Sequence, residues 1–287
     1  MWNTLKWVLT PGLHYVTRLR RWFDILRNMR GLSVRDCLSL YTSAIFSFAD
    51  SVRDVRVWRD PVLVRSATLS VQSLGLFEVR AFCDDLWHVA PMREQAISNL
   101  LNEELGPGDI FVDVGANIGC YSVLGGRLVG ESGRVLAVEM MPPTLVQLRK
   151  NIVLNELANV EVIESGLAEV SGLEVPVQLP GGKYGQASLI NSQSSIATEQ
   201  THLITTKTLD EVCCGLEEIK VMKIDVEGVE ERVIQGGEEA LAKTRCLIFE
   251  DLSREDLDCP LTLRLNALGF RTEMLDKNNK VAWNSNV

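Results

Sequence analysis

Residues 109–119, DIFVDVGANIG, run an apolar strand into a turn with glycines at 115 and 119, followed by residues able to start a helix. Glycine suits such a turn because it reaches backbone angles other residues avoid and lets a ligand approach the main chain closely. The pattern then repeats. Strand-like runs at 110–114, 134–138, 160–163, 219–224 and 245–249 are interspersed with helical stretches such as 144–155 and 229–243. Strands alternating with helices imply an α/β fold with a mostly parallel sheet covered on both faces.

The spacing at the turn narrows the ligand. It is GxxxG, so the GxGxxG arrangement that wraps a dinucleotide pyrophosphate is missing, which counts against a nicotinamide-dependent oxidoreductase. Asp113 sits two positions before the first glycine, placed for the amino group and ordered waters of an amino-acid-bearing cofactor, where a diphosphate would be repelled. The second strand ends at Glu139 in RVLAVEMMPP, 20 residues past Gly119, where a carboxylate can accept hydrogen bonds from both hydroxyls of a ribose. Met140 would then line an adenine pocket, and Ser165 or Glu164, after the third strand NVEVI, would meet the adenine edge.

Residues 219–237, IKVMKIDVEGVEERVIQGG, read as a buried strand, an acidic loop and a helix. Asp225 and Glu227 are two apart, so in an extended chain both point towards the cleft at the carboxyl ends of the strands. Paired carboxylates there can supply a general base or hold a hard cation such as Mg2+. Glu227 and Glu230 also favour the positive amino end of the following helix, and Glu230 and Glu231 are expected to be largely structural.

With these motifs in view, VDVGANIG at 112–119, ASLI at 187–190, TKTLDEV at 206–212 and above all KIDVEGVEERVIQGG at 223–237 resemble the FkbM-type methyltransferases over roughly residues 105–270. The resemblance implies a class I, Rossmann-like fold with a mostly parallel seven-stranded sheet. It further implies S-adenosylmethionine as donor and an oxygen nucleophile on a secondary metabolite, sugar or glycolipid-like acceptor. By position, Gly115, Asn117, Gly119 and Glu139 would touch the donor, and Asp225 and Glu227 would lie on the acceptor side. Two stretches depart from the family pattern, RCLIFEDLSRED and GGKYGQASLINSQSS, so the resemblance does not carry the acceptor over. An amine acceptor, an NAD-dependent oxidoreductase and a non-catalytic cofactor-binding scaffold stand as alternatives.

Composition bears on the partners. Residues 1–60 hold ten Lys/Arg against five Asp/Glu, a balance of +5, which leaves −14 for the rest of a chain whose net charge is −9. An acidic body argues against nucleic acid as the main partner, and a small-molecule or glycan acceptor is what the resemblance implies. The seven cysteines, at 37, 83, 120, 213, 214, 246 and 259, show no CxxC or Cys/His spacing, and His14, His88 and His202 are scattered, so reduced thiols and no cysteine or histidine metal site are expected. From Tyr15, the apolar Leu19, Trp22, Phe23, Leu26 and Met29 recur at helical spacing among Arg18, Arg20, Arg21, Arg27 and Arg30. Packing of this stripe on its own domain is the expectation, with peripheral contact to an anionic membrane through the Arg18–Arg30 helix as the alternative. No run of about 18 uncharged apolar residues occurs and the Met1 to Leu13 segment lacks a signal-peptide pattern, so a cytoplasmic location is expected. The expected organisation is a basic helical extension over 1–60, a β-hairpin and helix over 61–105, and a donor-binding domain over 106–287. The sequence leaves the oligomeric state open.

Overall fold

The computed structural model describes residues 16–53, 60–178, 188–189, 201–226, 228–251 and 259–286. Glu227, the Met1 to Leu13 segment and the expected loop at 191–201, apart from Thr201, lie outside the described residues. The chain divides into two compact units, Met1–Arg93 and Glu94–Val287.

In the first unit, helix α1 (16–28) leads into strand β1 (Met29–Gly31), helix α2 (Val34–Arg53), the hairpin β2 (Ala67–Val71) and β3 (Gly75–Val79), and the short helix α3 (Asp85–His88). Ser33 and Asp36 start α2 by a reciprocal cap: Asp36 accepts from the Ser33 N–H and hydroxyl, and the Asp36 N–H donates to Ser33 Oγ. Because β1 pairs antiparallel with β2, residues on both sides of position 60 build one three-stranded sheet. Only part of the α1 stripe is packed. Trp22, Ile25 and Met29 are buried, whereas Leu19 and Phe23 are exposed.

The second unit opens with helix α4 (Gln95–Glu104) and then alternates β4 (Ile110–Val114), α5 (Cys120–Val129), β5 (Arg134–Glu139), α6 (Pro142–Leu154) and β6 (Val160–Glu164). A small mixed sheet follows, made of β7 (Gly166–Leu167), β8 (Glu174–Gln178), β9 (Ser188–Leu189) and β10 (Thr201–Lys207). The chain then returns through α7 (Leu209–Val212), β11 (Ile219–Ile224), α8 (Glu230–Gln235), α9 (Glu238–Ala242), β12 (Thr244–Glu250), α10 (Pro260–Ala267), β13 (Phe270–Met274) and β14 (Asn279–Asn284).

The large sheet has the order β13-β14-β12-β11-β4-β5-β6. Its five strands β6, β5, β4, β11 and β12 are parallel, and β14 runs antiparallel between β12 and β13. The central strands are almost wholly apolar because both faces are buried. Strand order reverses at β4, with β5 on one side and β11 on the other, and in open α/β sheets ligands bind outside the carboxyl ends of the strands at such a reversal. The helix expected over 229–243 is two helices. They separate at Gly236 and Gly237, where a Cβ on Gly236 would lie 2.4 Å from the Ala168 carbonyl oxygen.

Candidate active site

At the tip of β4, Asp113 is fully buried and accepts from the Ser122 hydroxyl at 2.6 Å through Oδ2. Burial pushes its carboxyl above the ordinary carboxylate value, against the pull of Lys223 and Ser122. The chain then turns over the end of β5: the Gly115 and Ala116 N–H groups both donate to the Val138 carbonyl. Gly115 has φ +81°, and a Cβ there would sit 1.8 Å from the Asp225 carbonyl oxygen. Asn117 also occupies the left-handed region at φ 50°, and Gly119 does so at φ +92° as the residue before α5. A side chain on Gly119 would meet Leu148 Cδ1 at 2.7 Å. The buried oxygens Asp113 Oδ1 and Asn117 Oδ1 have no hydrogen-bond partner among the described residues, a state that costs about 1–3 kcal/mol per group unless a ligand or water supplies a donor.

Glu139 faces this turn rather than bulk solvent. Its Oε2 accepts from the Asn117 N–H at 2.9 Å, and its Oε1 accepts from the Met140 and Met141 N–H groups at 2.8 Å each. Burial raises its pKa, and the three backbone donors offset only part of that. Met140 packs against Met141, Val177 and Ile204, so β8 and β10 of the small sheet cover the end of β5. Ser165 is buried, and its hydroxyl is directed to the Gly166 and Thr205 carbonyls at 2.9 and 3.0 Å. Glu164 is exposed beside Arg149.

Asp225 follows β11 immediately, and its N–H donates to the Val114 carbonyl, which locks it against β4. Its Oδ2 accepts from Lys223 Nζ at 2.9 Å. Lys223 is almost completely buried, stands 5.0 Å over the Tyr121 ring, and belongs to a group of ionisable side chains that includes Asp113, Asp225 and Glu94. Burial works to lower its pKa, but these three carboxylates outweigh it and the net direction is upward. Tyr121 in turn donates its hydroxyl to Glu94 at 2.6 Å. Lys223, Tyr121 and Glu94 were not among the expected site residues. A signal for Lys223 was present, since it is two positions from Asp225 in a strand and therefore shares its face.

The expectation of Mg2+ at Asp225 finds no support: the positive charge beside that carboxylate is an ammonium from the chain itself. Among the described residues, the group with metal-ligand proximity is Cys83, Asp84 and Asp85 in the first unit, where both Asp85 oxygens already accept from Arg80. The seven cysteines form no disulfide among the described residues, and burial raises the thiols of Cys83, Cys213 and Cys246 to about 12, so those three behave as small apolar side chains. Glu230 is structural, accepting from the Val226 and Gly228 N–H groups ahead of α8. TKTLDEV is structural too. Thr206 Oγ1 donates to the Val170 carbonyl, Thr208 caps α7, and Asp210 caps α9 through the Ala240 N–H.

The strand order and the turn between β4 and α5 are those of a class I S-adenosylmethionine-dependent methyltransferase. Residues 113–272 match the FkbM methyltransferase domain, and the chain belongs to that family. A hexuronic acid methyltransferase, AglP, of Haloferax volcanii is 28% identical over 226 residues, which cover 76% of this chain and 80% of that protein. The 2-O-methyltransferase NoeI of Sinorhizobium fredii is 27% identical over 173 residues, 55% of this chain and 69% of that one. A probable cobalt-precorrin-6B C(15)-methyltransferase (decarboxylating) of Sulfolobus acidocaldarius is 46% identical over 63 residues, so the match spans 22% of this chain and only 33% of that relative's length.

Proposed function

We propose that the chain methylates a hydroxyl oxygen of a sugar, glycolipid or related metabolite, with the catalytic machinery in the C-terminal unit and the residues before it as an accessory extension. The observation that supports this reading is the close approach of Gly115 to the Asp225 carbonyl oxygen, 1.8 Å from where a Cβ on Gly115 would stand, which puts the turn proposed to hold the donor beside the carboxylate proposed to serve the acceptor. The name of AglP, a hexuronic acid methyltransferase, supports a sugar as acceptor, and that of NoeI, a 2-O-methyltransferase, supports an oxygen as the nucleophile.

The bound donor supplies an electrophilic methyl group on a sulfonium. In this reading Glu139 takes one ribose hydroxyl on the lone-pair site its three backbone donors leave. Asn117 Oδ1, and Asp113 Oδ1 through a water, accept from the amino-acid end of the donor. Met140 borders the adenine. Ser165, whose own proton is committed to a carbonyl, accepts from the adenine amino group. Gly115 and Gly119 hold the turn open between them. Asp225, fixed by Lys223, accepts the hydroxyl proton as the oxygen attacks, with Glu227 two residues on as its companion on the acceptor side.

The test is methyl transfer from labelled donor to a panel of hexoses, uronic acids and lipid-linked sugars, with the product mapped by NMR. A methyl ether is the expected product. Asp225→Asn is expected to keep donor affinity by calorimetry while losing about 10²–10⁴-fold in kcat. A methylated nitrogen, or full turnover by Asp225→Asn, overturns the reading.

A further inference from the structure

Among the described residues of the N-terminal unit, one side of each long helix is exposed. On α2, Val34, Leu38, Tyr41 and Ile45 follow one another at intervals of four, three and four residues and are all exposed, Val34 at 79% and Ile45 at 67%. That spacing draws one continuous stripe on a helix, while Leu40, Ser43 and Ala44 on the far side are buried. Helix α1 repeats the arrangement. Val16, Arg20, Phe23 and Arg27 have the same intervals and are all exposed, with Leu19 beside them, whereas Arg18, Trp22 and Ile25 are buried. A groove of about 540 Å³ joins the two faces, lined by Leu19, Arg20, Phe23, Asp24 and Leu26 of α1 and by Phe48, three residues beyond Ile45, on α2.

An apolar surface of this extent calls for a partner, and the surrounding charge identifies it. Arg20, Arg27, Arg30 and Arg35 are exposed on and between the two helices. The first 60 residues are net basic, with ten Lys/Arg against five Asp/Glu, in a chain whose net charge is −9. Nucleic acid offers phosphates but no apolar phase for Phe23 and Ile45. A second copy of the chain, related by a two-fold axis, would bring the same arginines face to face. An anionic bilayer supplies both phosphates and an acyl boundary, and helices with this distribution lie in its interfacial plane. Among the described residues, no helix is long and apolar enough to cross a membrane.

We propose that the face built by α1 and α2 docks on an anionic lipid bilayer, with Phe23, Leu38, Tyr41 and Ile45 entering the headgroup–acyl boundary and Arg20, Arg27, Arg30 and Arg35 on lipid phosphates. This does not rest on the identity of the methyl acceptor. The experiment is sedimentation of the full-length chain with vesicles of phosphatidylcholine alone or enriched in phosphatidylserine. Binding is expected on the anionic vesicles only, weakening as salt is raised. Replacing one of the four arginines by Gln is expected to lower the partition constant about fivefold. Phe23→Ser and Ile45→Ser are each expected to lower it about tenfold or more. Because both side chains are already exposed, the thermal midpoint of these variants is expected to stay at the wild-type value. Failure to bind anionic vesicles, equal binding to neutral ones, or wild-type binding by the variants overturns the proposal. So does light scattering that finds a dimer broken by Phe23→Ser and Ile45→Ser in a chain with no affinity for lipid.

Discussion

Gly115 answers to the protein before it answers to any ligand. Its φ of +81° is in the left-handed region, and the atom a Cβ would strike, 1.8 Å away, is the backbone oxygen of Asp225 on the neighbouring strand end. Neither side can withdraw easily, because the Gly115 N–H is bonded to the Val138 carbonyl and the Asp225 N–H to the Val114 carbonyl. Gly115→Ala is therefore expected to cost roughly 2–5 kcal/mol, about 1–2 from the backbone conformation and about 1–3 from forced overlap. Thermal unfolding would register this as a fall of about 2–4 °C for each kcal/mol, and an unchanged midpoint would refute the account. The GxxxG spacing made Gly115 legible as a glycine the turn requires, and the expected reason was a ligand's close approach. The structure adds a second reason, the close approach of Asp225 at a strand end more than a hundred residues away in sequence, which no local pattern encodes. Glu139 was read from its place at the strand end, but its three backbone donors depend on how the turn folds back over β5 and were not readable.

At the scale of elements, β11 carries most of the acceptor-side design. It delivers Lys223 and Asp225 to the same face, one almost fully buried and the other partly so. An ion pair this enclosed is held by its own reciprocity: removing one member leaves the other as an uncompensated charge. Lys223→Met is expected to destabilise by about 3–5 kcal/mol, whereas Lys223→Met combined with Asp225→Asn is expected to recover a large part of that loss. A double-mutant cycle by urea unfolding measures the coupling, and strictly additive single effects would mean that the pair does not act as a unit. The parallel strands of this sheet were legible because burial on both faces gives apolar runs of Val, Ile and Leu. Strands β13 and β14, FRTEM and NKVAWN, were not, since each mixes polar and apolar residues without a clean period of two. The small sheet β7-β10-β8-β9 escaped notice for a related reason: β7 and β9 are only two residues long, and pairing across distant segments defines them.

For the whole molecule, the buried carboxyls Asp113 and Glu139 set a pH dependence of one sign. Burial raises both above their ordinary values, so between the ordinary and the raised pKa the folded chain binds more protons than the unfolded one. Stability accordingly falls as pH climbs through that window. Lys223 is also raised, so its contribution is complete below the ordinary lysine value and is lost only as pH passes through its folded value, leaving it silent near neutrality. Glu169 and Glu211, which their partners hold low, would slope the other way by losing stability on acidification, but they lie at the surface, where solvent screening shrinks their share. Urea unfolding is expected to give a stability that declines from the ordinary carboxylate range, about pH 4, towards neutrality. Asp113→Asn keeps the shape of the side chain and an acceptor for Ser122 but has no proton to lose, so it is expected to flatten the decline. A wild-type stability that rises over the same range, or a variant with an unaltered slope, would show that Asp113 is ionised in the fold at no cost and that the charge of Lys223 outweighs its burial.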